Sequence, residues 1–392
     1  MTVKKSSRKL LLIIPAVLAL VGLVAYIYQL INGLQITGMS NVNSWGLYIA
    51  SFMLFVGLSA GGLIVASSAT VFNVPKLKKV AKPAVILSTV CISVAAVFIL
   101  VDLGGIHKIW RLLTGPNFIS PLLWDIVVIS TYLIINILYL IFMQKPDQNK
   151  KKLTVLSYIA LPTAVLVHAV TAWIFGLQIA KSWYTAIMAP IFIASALDSG
   201  LALLIVSLLI LNALNIHRLP DDILKLLSKL LVVFVLVDFF LIMCEILTMA
   251  YPLDGLSEPL ATILVGQSAP YFWLEMIVGV LLPVILLIIS QFQGNNKPLI
   301  AIASVFIVLG VFCKRMWILL TGFANVNVFG APGVVQGSIE NVGSGIIANW
   351  AMQGYYMATI FEILIFIGVI SAGILVFAFL VNKLVVPEKV LD

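Results

Sequence analysis

Asp102, Asp198, Asp238, Glu245, Glu275 and Glu362, with Lys314, Arg315 and His168, stand inside stretches that are otherwise almost wholly apolar. An ionisable side chain in hydrocarbon is costly, so residues of this kind are kept for what they do: bind a ligand, move protons or pair across helices. His168 can exchange a proton near neutral pH, which makes it a candidate acid–base group. Asp238 and Glu245 are seven positions apart, about two helical turns, and share a face. Ion pairs such as Arg315 with Glu362 or Glu275 would account for one or two of these residues. The whole set points instead to a hydrated or ligand-lined cavity. Asp198 and Asp238, near mid-depth with no evident basic neighbour, suit a proton relay that Asn136 would extend.

Several chemistries are excluded. His107 and His217 fall in loops, which leaves no pair of histidines to hold a haem within the apolar segments. Cys91, Cys244 and Cys313 each lie alone in an apolar run, with no spacing for zinc or an iron–sulfur cluster. No metal site is expected, and the cysteines read as packing residues.

The elements that carry these groups follow from composition. Of 392 residues 62% are apolar and 10% charged, with mean hydropathy +1.17, well beyond what a soluble core needs. Ten apolar runs separate: 10–34, 45–72, 83–103, 122–143, 154–178, 189–213, 226–250, 271–291, 299–322 and 355–381. Each meets the roughly 20 residues that a spanning helix requires. Runs this long and non-alternating exclude barrel strands. The fold expected is an all-α polytopic membrane protein of about ten helices.

Orientation follows from the bases, which cytoplasmic loops retain. With the N-terminus inside, the inner segments hold 18 lysines and arginines and the outer loops only Lys108, Arg111 and Lys181. Both termini are therefore expected in the cytoplasm, in the cell (inner) membrane. The net charge of +8 marks topology rather than a nucleic-acid partner. The first run has a basic start but no small-x-small cleavage site, so it is expected to remain as a helix.

Helices two to five resemble helices six to nine in order. Ser59-Ala60-Gly61-Gly62 answers to Asp198-Ser199-Gly200, Asp102 to Glu245, Pro121 and Trp124-Asp125 to Pro270 and Trp273-Leu274-Glu275, and Trp173 to Trp317. The expected organisation is a parallel pair of four-helix bundles. Its parts are an N-terminal flank (1–44), a first bundle (45–180), a second bundle (181–322), and an outer loop with a C-terminal flanking helix (323–392).

These motifs also resemble a known family. Trp45-Gly46-Leu47-Tyr48, Gly57-Leu58-Ser59-Ala60-Gly61-Gly62, Asp102-Leu103-Gly104 with Trp110-Arg111, His168-Ala169-Val170-Thr171-Ala172-Trp173, Ala189-Pro190, Phe272-Trp273-Leu274-Glu275, Arg315, Tyr356 and Glu362 resemble the NrfD family, the membrane subunit of polysulfide reductase-like complexes. The ten-helix form looks most like the quinone-reactive membrane subunit of membrane-bound hydrogenases. The resemblance implies a quinone, menaquinone or ubiquinone, bound near the outer face. It also implies a chain without haem or cluster, an iron–sulfur (ferredoxin-like) electron-transfer partner and a catalytic oxidoreductase subunit. By motif, Trp45, Tyr48, Asp102 and His168 border the pocket. His107 stands where the family carries a base.

The reading is then that His168 and Asp102 hydrogen-bond the quinone ring oxygens. Glu245, Glu275, Arg315 and Glu362 would pass protons to water, and Asp198 and Asp238 would extend the path inward. The lysine- and arginine-free loop 323–354 would dock the partner. The rival readings are a secondary transporter and a passive membrane anchor.

Overall fold

The computed structural model describes residues 12–40, 43–179, 181–251, 257–324 and 355–385. Within them ten helices are long and apolar enough to cross a membrane. They are α1 (Ile13–Asn32), α2 (Leu47–Val71), α3 (Lys78–Asp102), α4 (Pro121–Phe142), α5 (Lys150–Gly176), α6 (Met188–Ala213), α7 (Asp221–Ala250), α8 (Ala269–Phe292), α9 (Lys297–Ala324) and α10 (Ile360–Leu384). There is no β-strand among the described residues. The chain is an all-α polytopic membrane protein.

The helices extend beyond the apolar runs where the flanking residues can reach water. α3 begins at Lys78 rather than 83, α5 at Lys150 rather than 154 and α7 at Asp221 rather than 226. Long charged side chains snorkel to the interface from a first helical turn, so apolarity alone underestimates helix length there. α10 begins later than expected, at Ile360, because Thr359 and Glu362 form a capping box that sets its first turn.

α2 is the central helix: 94% of its apolar stretch is buried inside the protein, against 17% for α1 and 22% for α10. Around it α2, α3, α4 and α5 pack in a ring, each on the next, and α6, α7, α8 and α9 pack in a second ring. The rings meet chiefly where α2 and α5 pack on α6. α1 lies on α10, and α10 in turn on α3. α2 and α6 touch backbone to backbone, since a Cβ on Gly61 would run into the carbonyl carbon of Gly200. Without a hydrophobic force between helices in lipid, such close approach is what gives them dispersion contact.

α8 contains a π-helical segment, Glu275–Leu281. The widened turn begins at a buried acid, a placement common at functional positions. Loop residues 325–354, expected above to form a docking surface, lie outside the described residues.

Candidate functional site

The ionisable groups fall into two clusters on either side of α2. The first lies where the end of α1, the start of α2, the end of α3 and the start of α10 converge. Tyr48 donates its hydroxyl to Gln29 Oε1 at 2.6 Å, and Gln29 Nε2 donates to the Val101 carbonyl at 3.0 Å. Tyr356 donates to Glu362 Oε1 at 2.6 Å and accepts the Leu47 N–H at 2.8 Å. Burial and the neighbouring Glu362 carboxylate push the Tyr356 phenol above its ordinary value, so it remains a donor. Glu362 Oε2 also accepts from the Gly38 and Thr359 backbone N–H groups at 2.7 and 2.9 Å. Glu362 is thus fully engaged as the clasp of α10.

Asp102 differs. It lies within electrostatic reach of Glu362 and Tyr48, and its Oδ1 is buried with no hydrogen-bond partner among the described residues. A buried carboxyl oxygen left unsatisfied costs free energy and calls for a partner that is not protein.

The second cluster occupies the core of α6–α9. Lys314, fully buried, lies 3.0 Å from Glu275 Oε1 and pairs also with Asp238. Asp198 sits beside Asp238. Trp317 donates its indole N–H to Glu275 Oε2. Arg315 donates from Nη2 to Ser195 Oγ at 2.5 Å and lies over the Phe192 ring at 3.9 Å. Two expectations are corrected here. Asp238 does have a basic neighbour, Lys314, because α7 and α9 face each other at equal depth. It is Lys314 rather than Arg315 that pairs with Glu275, since adjacent helical positions point about 100° apart.

His168 belongs with this second cluster. The charge it feels is that of Arg315, and its Nε2 is buried without a partner among the described residues. Three positions further on, Thr171 donates to Asp125 Oδ1 at 2.6 Å. Trp45 packs edge-on against Phe175 and Phe323, away from the Tyr48 hydroxyl network. His107 is exposed on the short turn Ile106–Lys108. Glu245 stands apart and accepts from Thr185 at 3.0 Å, while Asn136 donates to the Tyr132 carbonyl at 2.9 Å.

Sequence reasoning missed three participants. Gln29 is neutral and so raised no alarm in an apolar run. Asp125 read as the start of a helix, although Trp124 and Trp273 gave a signal: each donates its indole N–H to a carbonyl of the preceding loop, at 2.8 and 3.0 Å. Lys314 was noted for its cost but not as the hub.

A family model described as polysulphide reductase, NrfD, matches residues 35–327, three quarters of the chain. This chain belongs to the NrfD family. The match runs from the turn after α1 to just past α9, so the NrfD core holds Tyr48, Asp102 and the whole second cluster. Gln29, Tyr356 and Glu362, on the flanks, lie outside it.

Similar NrfD-type relatives include a Halobacterium salinarum protein named as a membrane subunit of dimethyl sulfoxide reductase, 35% identical over 92% of this chain and 87% of that protein. A selenate reductase subunit of Mesobacillus selenatarsenatis is 27% identical over 80% of this chain and 82% of its own length. The Hdr-like menaquinol oxidoreductase integral membrane subunit of Archaeoglobus fulgidus is 27% identical over 98% and 94%.

Proposed function

We propose that this chain is the quinone-reactive membrane subunit of a respiratory oxidoreductase complex. It exchanges electrons between menaquinone or ubiquinone and an iron–sulfur partner docked on the outer face, beside a catalytic subunit that supplies the terminal chemistry. The names of the relatives support this, two of them being reductase subunits and one a menaquinol oxidoreductase subunit. The lysine and arginine asymmetry supports a cytoplasmic-membrane location with both termini inside.

The observation that carries the reading is the unsatisfied Oδ1 of Asp102 beside the Tyr48–Gln29 pair at the outer helix ends. A quinone supplies two-electron chemistry coupled to two protons, and its ring oxygens need hydrogen-bonding groups that exchange protons with water. Asp102 offers such a group at the end of α3, where it is only half-buried. Tyr48 is held in place by Gln29, and the Tyr356–Glu362 clasp fixes the start of α10 against α2. Asp198, Asp238, Lys314 and Glu275, all in mutual reach, form a second proton-exchanging set deeper in the membrane. His168 and Arg315 stand between that set and α5.

The test is to purify the complex in mild detergent and add a reduced naphthoquinol. Reduction of iron–sulfur signals in a co-purifying subunit, read by electron paramagnetic resonance, supports the reading. A partner-free chain that carries no quinone and instead catalyses solute uptake in proteoliposomes overturns it.

A further inference from the structure

α1 and α10 are pressed together at Gly22 and Gly368, where a Cβ on either would lie 2.5 Å from the other's Cα. That contact brings the two backbones close while small residues on both helices leave the angle facing α3 unfilled. The result is a trough of about 400 Å³ between α1, α3 and α10, edged by Gly22, Tyr26, Val94, Val101, Ile106 and Gly373. This volume falls within the range of small-molecule sites. Along α3 it follows eleven positions from Val90 to Val101, about 16 Å at the helical rise.

The trough has direction. Its inner part is apolar, and lipid-exposed residues such as Leu20 and Val24 flank it on α1. Its outer end abuts Asp102, the residue after Val101, and the Gln29 amide that bonds the Val101 carbonyl. No lysine or arginine lines it among the described residues. A phosphate headgroup would meet carboxyl groups there, whereas a neutral ring with oxygen acceptors would meet an unsatisfied carboxyl and an amide–phenol pair. α1 and α10 also lie outside the residues that match the NrfD family, so the trough belongs to the flanks and not to the common core.

We propose that this trough seats the isoprenoid tail of the quinone and is its lateral route from the bilayer to Asp102. The inference rests on the quinone reading above and adds to it a tail-binding subsite built by α1 and α10. Selectivity for long-tailed over tail-less quinols then resides in the flanking helices.

The experiment compares Ser93→Phe and Ala372→Leu, which fill the trough without touching the polar cluster, with Leu20→Phe on the lipid-facing side of α1. Assembled complex is assayed with a long-tailed menaquinol and with a tail-less naphthoquinol. The expected result is that the trough variants raise KM for the long-tailed quinol about tenfold relative to the tail-less one, the loss of roughly two buried methylenes. Leu20→Phe should leave that ratio unchanged. An unchanged ratio in the trough variants overturns the proposal, as does loss of a co-purifying phospholipid without a change in the ratio. Failure of the wild type to oxidise either quinol would instead overturn the quinone reading itself.

Discussion

Lys314 on α9 and Glu275 at the head of the π segment of α8 lie 3.0 Å apart with both side chains out of contact with the surroundings. The same ammonium pairs with Asp238, so one cation holds three helices through two carboxylates. Breaking such a buried arrangement by removing one partner leaves charges uncompensated, which costs about 3–5 kcal/mol.

Lys314→Met should therefore lower the unfolding temperature of the detergent-solubilised protein sharply. Adding Glu275→Gln should recover part of the loss, because the double variant no longer strands that carboxylate. Equal melting temperatures for the single and double variants would mean that the pair is not coupled.

The α2–α6 crossing makes a second prediction. Gly61→Val would drive a side chain into the backbone of Gly200, which leaves no room for even a Cβ at Gly61. Overpacking of this kind costs about 1–3 kcal/mol where neighbours can shift, and a backbone cannot shift cheaply. The yield of monodisperse protein should fall, while Gly115→Ala, with only the Arg111 carbonyl at 3.7 Å, should behave as wild type. Normal yield for Gly61→Val would show that the helices do not cross this closely.

Tyr356→Phe removes the donor to Glu362 and the acceptor of the Leu47 N–H, an expected loss of about 1–3 kcal/mol for groups left unsatisfied. Because the phenol is pushed up on folding, the folded state binds its proton more tightly than the unfolded one. The stability it contributes is fully present below its ordinary value, about 10, and declines as pH rises beyond that. Melting curves should show a constant gap between wild type and variant from about pH 6 to 9 that narrows above about pH 10. A gap that varies across neutral pH would contradict the protonated Tyr356 donor.

The proposed sidedness predicts labelling. A cysteine placed at Lys108 should react with a membrane-impermeant maleimide in intact cells, and one placed at Lys151 should react only after permeabilisation. The reverse pattern would invert the orientation and move the Asp102 cluster to the cytoplasmic side.

Most of the fold was legible because spanning helices are written in apolarity, and the ten runs match the ten long helices. The starts of α3, α5 and α7 were not, since their first turns are charged and snorkel. The π segment of α8 leaves no compositional trace. For the site, sequence supplied depth but not direction around each helix axis. It placed Asp238, Glu275 and Lys314 at compatible heights, yet could not tell that Lys314 faces the acids while Arg315 turns to Ser195 and Phe192. For the same reason Asp102 and His168 read as neighbours, whereas the structure sets Asp102 with Tyr48 and Glu362 and His168 with Arg315.

The central claim is that Asp102 binds and serves the quinone ring. The most direct measurement is quinone bound per chain in the purified complex, together with quinol oxidation, for wild type, Asp102→Asn and Asp102→Leu. The account predicts quinone in the wild type. It also predicts turnover reduced about 10²–10⁴-fold in both variants, with the partner subunit retained, as expected for loss of a proton-transferring group. Wild-type quinone content and turnover in Asp102→Leu would contradict it.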